Sequence, residues 1–268
     1  MVKVLEITLN NGLDPRTGRK IGLETGDPAK FSSFDEIFEA FRRQLNHFVD
    51  IKIRGNNIIE RLYAEHLPAP FLSLLIDDCV SKGKDYNDGG ARYNTSYIQG
   101  VGLGTITDCL TAISYQVFDK RQITMDELLK ALKANFVGHE NLRQMLLNKT
   151  PKYGNDDEYA DHIMKAIFEV YYDAIDGRPN TKGGHHRINL LPTTVHIYFG
   201  KVVGATPDGR KASEPVSEGV SPVQGADRKG PTAVIKSVSK IDHARTGGTL
   251  LNQKFAPQLL ADEEGLDK

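Results

Sequence analysis

The sequence predicts a mixed α/β fold in one domain, on three observations. Apolar residues recur at helical spacing in five stretches between Phe34 and Ile175. After Gly177 the chain turns β-branched and aromatic, in RINLLPTTVHIYFG. Glycine-rich segments enter or leave candidate strands, above all GGARYNTSYIQGVGLGTITDCL over residues 89–110. Glycine there lets backbone bend or pass close to a neighbour.

Taken in order, Met1 to Leu9 is patterned from its first residue with no N-cap before it, as if the chain began inside an element. NNGLDPRTGRKIG reads as turns. Ser33-Phe34-Asp35-Glu36 is a capping box, and Phe34, Ile37, Phe38, Phe41, Leu45, Phe48 and Val49 follow at helical spacing, a pattern that can extend to Leu62. Pro68 and Pro70 interrupt it, and PFLSLLIDDCVSKG reads as one helix ended by Gly83. NTSYIQ is short and polar, unlike a buried parallel strand, and Thr105 to Val117 reads as a helix on Ile106, Leu110, Ile113 and Val117. Thr124 opens a second capping box with Glu127, ahead of Leu128, Leu129, Leu132 and Phe136. Asn155 to Ile175 is a further helix, and RINLLPTTVHIYFG is a strand or pair of strands. About thirty residues from Lys201 to Pro231 carry almost no periodicity. Scattered Val and Ala mark them as an ordered, packed loop. TAVIKSVSKIDH is mixed, and TGGTLLNQKF reads as a turn into a strand. The chain ends at GLDK, just after another turn.

Composition narrows the functional classes. Thirty-four basic against 35 acidic residues leave no positive excess for a phosphate backbone, which argues against nucleic-acid binding. No apolar run approaches the roughly 20 residues that span a membrane, and the N-terminus lacks an export signal, so a cytoplasmic location is expected. Two cysteines, Cys79 and Cys109, make no disulfide framework and sit in apolar helical patterns, as buried small hydrophobes do.

The glycines of GVGLGT invite a phosphate-loop reading, and spacing argues against it. Gly100, Gly102 and Gly104 put the third glycine one place early for a dinucleotide fingerprint, and no Gly-Lys pair makes a P-loop. A tight strand-to-helix connection with close backbone packing fits better. His185 and His186 are adjacent and point apart on a strand, while Asp77-Asp78 and Asp156-Asp157 sit at helix ends, where capping explains them. No metal site and no nucleophile elbow is expected.

Several stretches together resemble the glycyl radical enzymes, the pyruvate formate-lyase and glycerol dehydratase superfamily. They are Gly204-Ala-Thr-Pro-Asp-Gly-Arg210, then Pro215, Gly219, Pro222, Gly225, Asp227 and Gly230, then Ser239, Lys240, Asp242 and His243. GGARYN, YIQGVGLGTITD, TPKYGNDDEYAD, LLPTTVHIYFG and GGTLLNQKF narrow the resemblance to the dehydratase-like branch, over essentially the whole chain. It implies part of a ten-stranded α/β barrel, a half-barrel with surrounding helices. Residues 1–268 would form a single partial domain between a thiyl-cysteine loop and a radical-glycine loop.

The Gly-Cys-Val-Glu and Arg-Val-x-Gly-Tyr motifs of those loops are absent from the sequence. The resemblance therefore implies no catalytic residue in this chain, and neither Cys79 nor Cys109 inherits the thiyl role. It implies no bound cofactor here. In the whole enzyme it implies a glycyl radical, installed by an activating enzyme that uses S-adenosylmethionine and an iron–sulfur cluster, a homodimer and a small-molecule substrate. The reaction it implies is removal of water from a small hydroxylated substrate, with trans-4-hydroxy-L-proline first and glycerol, propanediol or formate acetyltransferase-type chemistry behind. Alone, the chain is expected to be inactive. Leu191 and Thr193 in LLPTT match substrate-facing positions, and leucine at 191 favours a hydroxyproline-type pocket over glycerol, where tyrosine stands. Two alternatives of other classes are a non-catalytic complementing module and a nucleotide-binding module built on GVGLGT.

Overall fold

The computed structural model describes residues 1–191, 194–255 and 257, and about half the chain is helical. Helix α1 (Val2–Thr8) leads into a two-residue antiparallel ladder, β1 (Leu13–Asp14) with β2 (Arg19–Lys20). The NNGLDPRTGRKIG turns are thus the tip of a hairpin, closed by Thr17 donating to the Asp14 carboxylate at 2.7 Å.

Helix α2 runs 33 residues, Phe34–His66. The Ser33 hydroxyl accepts from the Glu36 N–H, and the Glu36 carboxylate in turn accepts from the Ser32 N–H at 2.8 Å, so the box is closed one residue early. Ile37, Phe41, Leu45, Val49 and Ile53 repeat every four residues and are all buried. Beyond Ile53 the helix leaves the core, and Ile58, Ile59, Leu62 and Tyr63 are exposed.

The stretch from Pro70 to Gly83 is two short helices, α3 (Pro70–Leu75) and α4 (Cys79–Lys82), not one. Between them Asp78 adopts φ +76°, a left-handed conformation that no helix interior tolerates. The Arg92 guanidinium holds its carboxylate at 3.0 Å.

The centre is a parallel pair, β3 (Ser96–Gln99) with β4 (His186–Asn189), in register Ser96↔His186, Tyr97↔Arg187, Ile98↔Ile188 and Gln99↔Asn189. NTSYIQ does therefore supply a parallel strand, contrary to the expectation from its polarity. Only one face is covered: Ser96 and Ile98 are buried while Tyr97 and Gln99 are exposed. A third extended segment lies beyond β4. Gly247 N–H donates to Ile188 O at 2.8 Å, Leu190 N–H to Gly248 O at 2.9 Å and Leu250 N–H to Leu190 O at 3.1 Å. TGGTLLNQKF thus makes only a single bridge, Leu190 with Thr249.

Helix α5 (Leu103–Ala112) begins two residues before the expected Thr105 and is buried at every position. It continues as a π-helical segment, Ile113–Asp119. Helices α6 (Met125–Lys133), with its complete Thr124–Glu127 capping box, and α7 (Glu140–Asn148) follow. Helix α8 (Glu158–Ile175) is capped by Asp157, which accepts from the Tyr159 and Ala160 N–H groups. It packs along α5 and under the sheet, and the buried Tyr171 hydroxyl donates to Ile98 O at 2.8 Å.

VHIYFG is not a strand. It forms helix α9 (Val195–Lys201), which leaves Val195, Ile197, Tyr198 and Phe199 exposed. The chain then loops without regular structure to Pro231, where α10 (Pro231–Val238) starts with proline in its first turn.

That loop is ordered by its own polar groups. Arg210, 5% exposed, directs its five N–H groups to Thr206 Oγ1 and to the carbonyls of Val203, Gly204, Lys211 and Glu214. Val203, Val216 and Val220 anchor it in the core. The glycines of GVGLGT are packing glycines: a side chain on Gly100 would press on Leu190 and Tyr171, and one on Gly104 would come within 2.7 Å of the Ser221 carbonyl. Gly102, at φ +81°, is the N-cap that turns strand into helix.

Candidate functional site

The expected substrate residue Leu191 falls on the open face of the β3–β4 pair. Side chains alternate along a strand. On β4, His186, Ile188 and Leu190 are buried toward the helices, and Arg187, Asn189 and Leu191 take the opposite face. Leu191 is 37% exposed and lies against Gly248, where an added side chain would come within 2.6 Å of it. Tyr97 lies over Gly247 in the same way. Thr193, the other expected substrate residue, lies outside the described residues.

Behind the sheet the polar residues are scaffold. The His186 ring is buried and meets Asn57 Oδ1 of α2 at 3.0 Å, and burial lowers its pKa. His185 is exposed, so the two histidines do point apart. Burial pushes the Glu60 carboxyl up, but hydrogen bonds from Ser96 and Thr181 outweigh it and the net shift is downward. This carboxylate ties α2 to the strand entrance.

A second buried cluster joins α5 to the 202–230 loop. Asp108 accepts from the Tyr153 N–H at 2.9 Å, with Lys152 Nζ 4.0 Å away, and burial pushes its carboxyl up to about 7. Asp208 accepts from Thr206 Oγ1 at 2.6 Å and from the Cys109 thiol at 3.5 Å. Cys109 is fully buried, and burial raises its thiol pKa well above the ordinary value. Cys79 is 2% exposed. Both cysteines are small core residues. Neither faces the open side of the sheet, and neither is placed to react. The acidic pairs cap and bridge: Asp157 caps α8, while Asp156 meets Lys240 at 3.2 Å and Lys236 at 3.6 Å. Among the described residues no group of three or more His, Cys, Asp or Glu could hold a metal ion. No described helix is long and apolar enough to cross a membrane.

A family model described as Pyruvate formate lyase-like matches residues 1–200, and one described as Glycine radical matches residues 216–268. The chain belongs to the pyruvate formate-lyase-like glycyl radical enzyme family. Within it, the chain is 60% identical over 265 residues to trans-4-hydroxy-L-proline dehydratase of Clostridioides difficile, covering 99% of this chain and 34% of that protein. The crystal structure of hydroxyproline dehydratase from the same organism, with trans-4-hydroxy-L-proline bound, superposes with a TM-score of 0.95 over the same shares of the two chains. The glycerol-bound B12-independent glycerol dehydratase of Clostridium butyricum is 41% identical with a TM-score of 0.93, covering 99% of this chain and 34% of that one. The chain thus spans about a third of the length of the relatives it matches.

The open sheet face carries two residues that the sequence did not single out, Gln99 and Asn189. Neither belongs to a chemical motif. The signal that could have found them is alternation: Asn189 stands two residues before Leu191, and therefore on the same face.

Proposed function

We propose that this chain forms one wall of a glycyl radical dehydratase barrel that removes water from a small hydroxylated substrate, trans-4-hydroxy-L-proline. The observation that carries this is 60% identity across 99% of the chain to a dehydratase of that substrate, with the same backbone in its substrate-bound structure. On this reading residues 1–268 are a single partial domain, and the parallel pair with its third extended segment is the inner layer of a half-barrel. Leu191 and Thr193 line the substrate, Leu191 by apolar contact and Thr193 by hydrogen bonding. Exclusion of water and oxygen by such a barrel protects a reactive intermediate.

The radical chemistry is assigned to loops outside these residues. The only cysteines here are buried in the helical layer, and no Arg-Val-x-Gly-Tyr motif occurs in the sequence. What this chain's residues do is position and enclose. The glycyl radical, its iron–sulfur and S-adenosylmethionine activating enzyme, a homodimer and a cytoplasmic location belong to the whole enzyme on this reading.

The test is a chimera in which this chain replaces the matching third of the C. difficile dehydratase. After anaerobic activation it is expected to remove one water from trans-4-hydroxy-L-proline, read by mass spectrometry. Turnover of glycerol or propanediol in its place would move the assignment to a polyol dehydratase. The chain alone, treated with the activating enzyme, is expected to show no glycyl radical signal by electron paramagnetic resonance.

One observation favours a second reading, a complementing module that acts only when docked. Phe71, Leu74 and Leu75 of α3 are 78%, 68% and 72% exposed. Faces this apolar seek a partner. Monomeric behaviour at high concentration in analytical ultracentrifugation would count against it.

A further inference from the structure

Two carboxamides face each other at the carboxyl ends of the parallel pair. Gln99 and Asn189 are the last residues of their strands and are partners in the register. Ligands of parallel α/β sheets bind outside the carboxyl ends of the strands. Both residues lie on the face turned away from the helices, with Gln99 exposed and Asn189 half-buried.

The Asn189 side-chain oxygen is shielded from solvent, yet it accepts a hydrogen bond from no described residue. Three neighbouring donors are committed elsewhere. Gly100 N–H donates to the Asn189 backbone carbonyl at 2.7 Å, Leu190 N–H donates to Gly248 O, and Arg187, the other polar residue on this face of β4, turns to Asp176 at 3.5 Å. A buried acceptor without a donor is uncommon and calls for a partner.

We propose that Asn189, with Gln99 opposite it, is a specificity-determining pair that binds the polar end of an imino-acid substrate. The Asn189 oxygen accepts from the ring ammonium N–H, and the Gln99 amide donates to the substrate carboxylate. This rests on the reading of Leu191 as substrate wall. Leu191 lies two residues further along the same face, about 7 Å away at the ordinary strand rise. A pyrrolidine ring with its carboxylate spans that interval. Glycerol and propanediol have no ammonium for Asn189 and no carboxylate for Gln99, so the pair separates imino acids from polyols.

The experiment uses the chimera described above, before and after activation. Isothermal titration of the unactivated protein with trans-4-hydroxy-L-proline measures Kd without any radical. Asn189→Ala is expected to weaken binding about tenfold with an unchanged thermal midpoint. Asn189→Asp, which offers the ammonium a carboxylate, is expected to restore it, and Gln99→Ala to weaken it about threefold. After activation, Asn189→Ala should raise KM with kcat altered less than about twofold, the pattern of lost uniform binding. An unchanged Kd in Asn189→Ala overturns the assignment, and with a lowered thermal midpoint it shows that the oxygen is satisfied by the barrel itself. Should Asn189→Ala fail to fold, an unchanged Kd in both Asn189→Asp and Gln99→Ala overturns it as well. A wild-type chimera that binds no hydroxyproline overturns the substrate reading beneath it, a result distinct from the others.

Discussion

Two halves of this molecule are built on opposite terms. Around α5, α8 and the 202–230 loop, every residue of α5 is buried, and hydrogen bonds such as Ser217 N–H to Thr105 and Ser237 to Asp161 tie the elements together. On the other side, the open face of the β3–β4 pair, the second half of α2, and helices α3 and α9 leave large apolar side chains in water. Apolar burial is the main favourable term in folding. The first half therefore supplies most of the stability, and the second half carries apolar surface that adds little to it. Residue type alone does not tell them apart: Phe41 of α2 is fully buried and Phe71 of α3 is 78% exposed.

Paired substitutions would break or sharpen that contrast. Phe41→Ala should lower stability by about 3–5 kcal/mol in urea unfolding of the 268-residue chain. A loss near zero would mean that the packed half does not fold as described. Arg210→Ala should follow at about 3 kcal/mol, because it leaves buried loop carbonyls without donors; limited proteolysis between Val203 and Pro215 would accelerate with it.

Asp108 adds a pH dependence of a few kcal/mol. Its folded pKa, about 7, stands above the ordinary 3.8. The folded state therefore holds the proton more tightly than the unfolded chain does, and the contribution is full below about pH 4 and lost as pH rises to 7. Asp108→Asn keeps an acceptor for Tyr153 and should flatten that decline in thermal melts. A variant as steep as the wild type would assign the slope to another group. Gly104→Ala should cost about 1–3 kcal/mol, since its new methyl meets the Ser221 backbone. Phe71→Ser should stay within about 0.5 kcal/mol and reduce self-association in light scattering.

Legibility in the sequence followed the same division. Helices α2, α6 and α8 announced themselves because caps and apolar stripes are local signals. The 202–230 segment could be read as ordered from its scattered valines, but not how Arg210 orders it, since four bonds to carbonyls and one to a hydroxyl leave no motif. The strand before GVGLGT was legible from the glycine turn that follows it, but its parallel pairing was not, because one face is open: Tyr97 and Gln99 dilute the apolar signal that a doubly covered parallel strand shows. Helix α9 was misread because VHIYFG has strand propensity, and tertiary context overrode it. The break at Asp78 is a left-handed residue that composition does not mark. Leu191 was singled out only through family resemblance, and the structure describes its exposure and its glycine neighbour. Gln99 and Asn189 carried no motif, and only their strand register brings them together.

The Arg210 guanidinium closes on neutral acceptors. Added salt, which weakens exposed ion pairs, has little access to these bonds, because Arg210 is buried. A loop held in this way keeps one shape through changes of ionic strength that would loosen the Lys240–Asp156–Glu158 bridge on the outer surface.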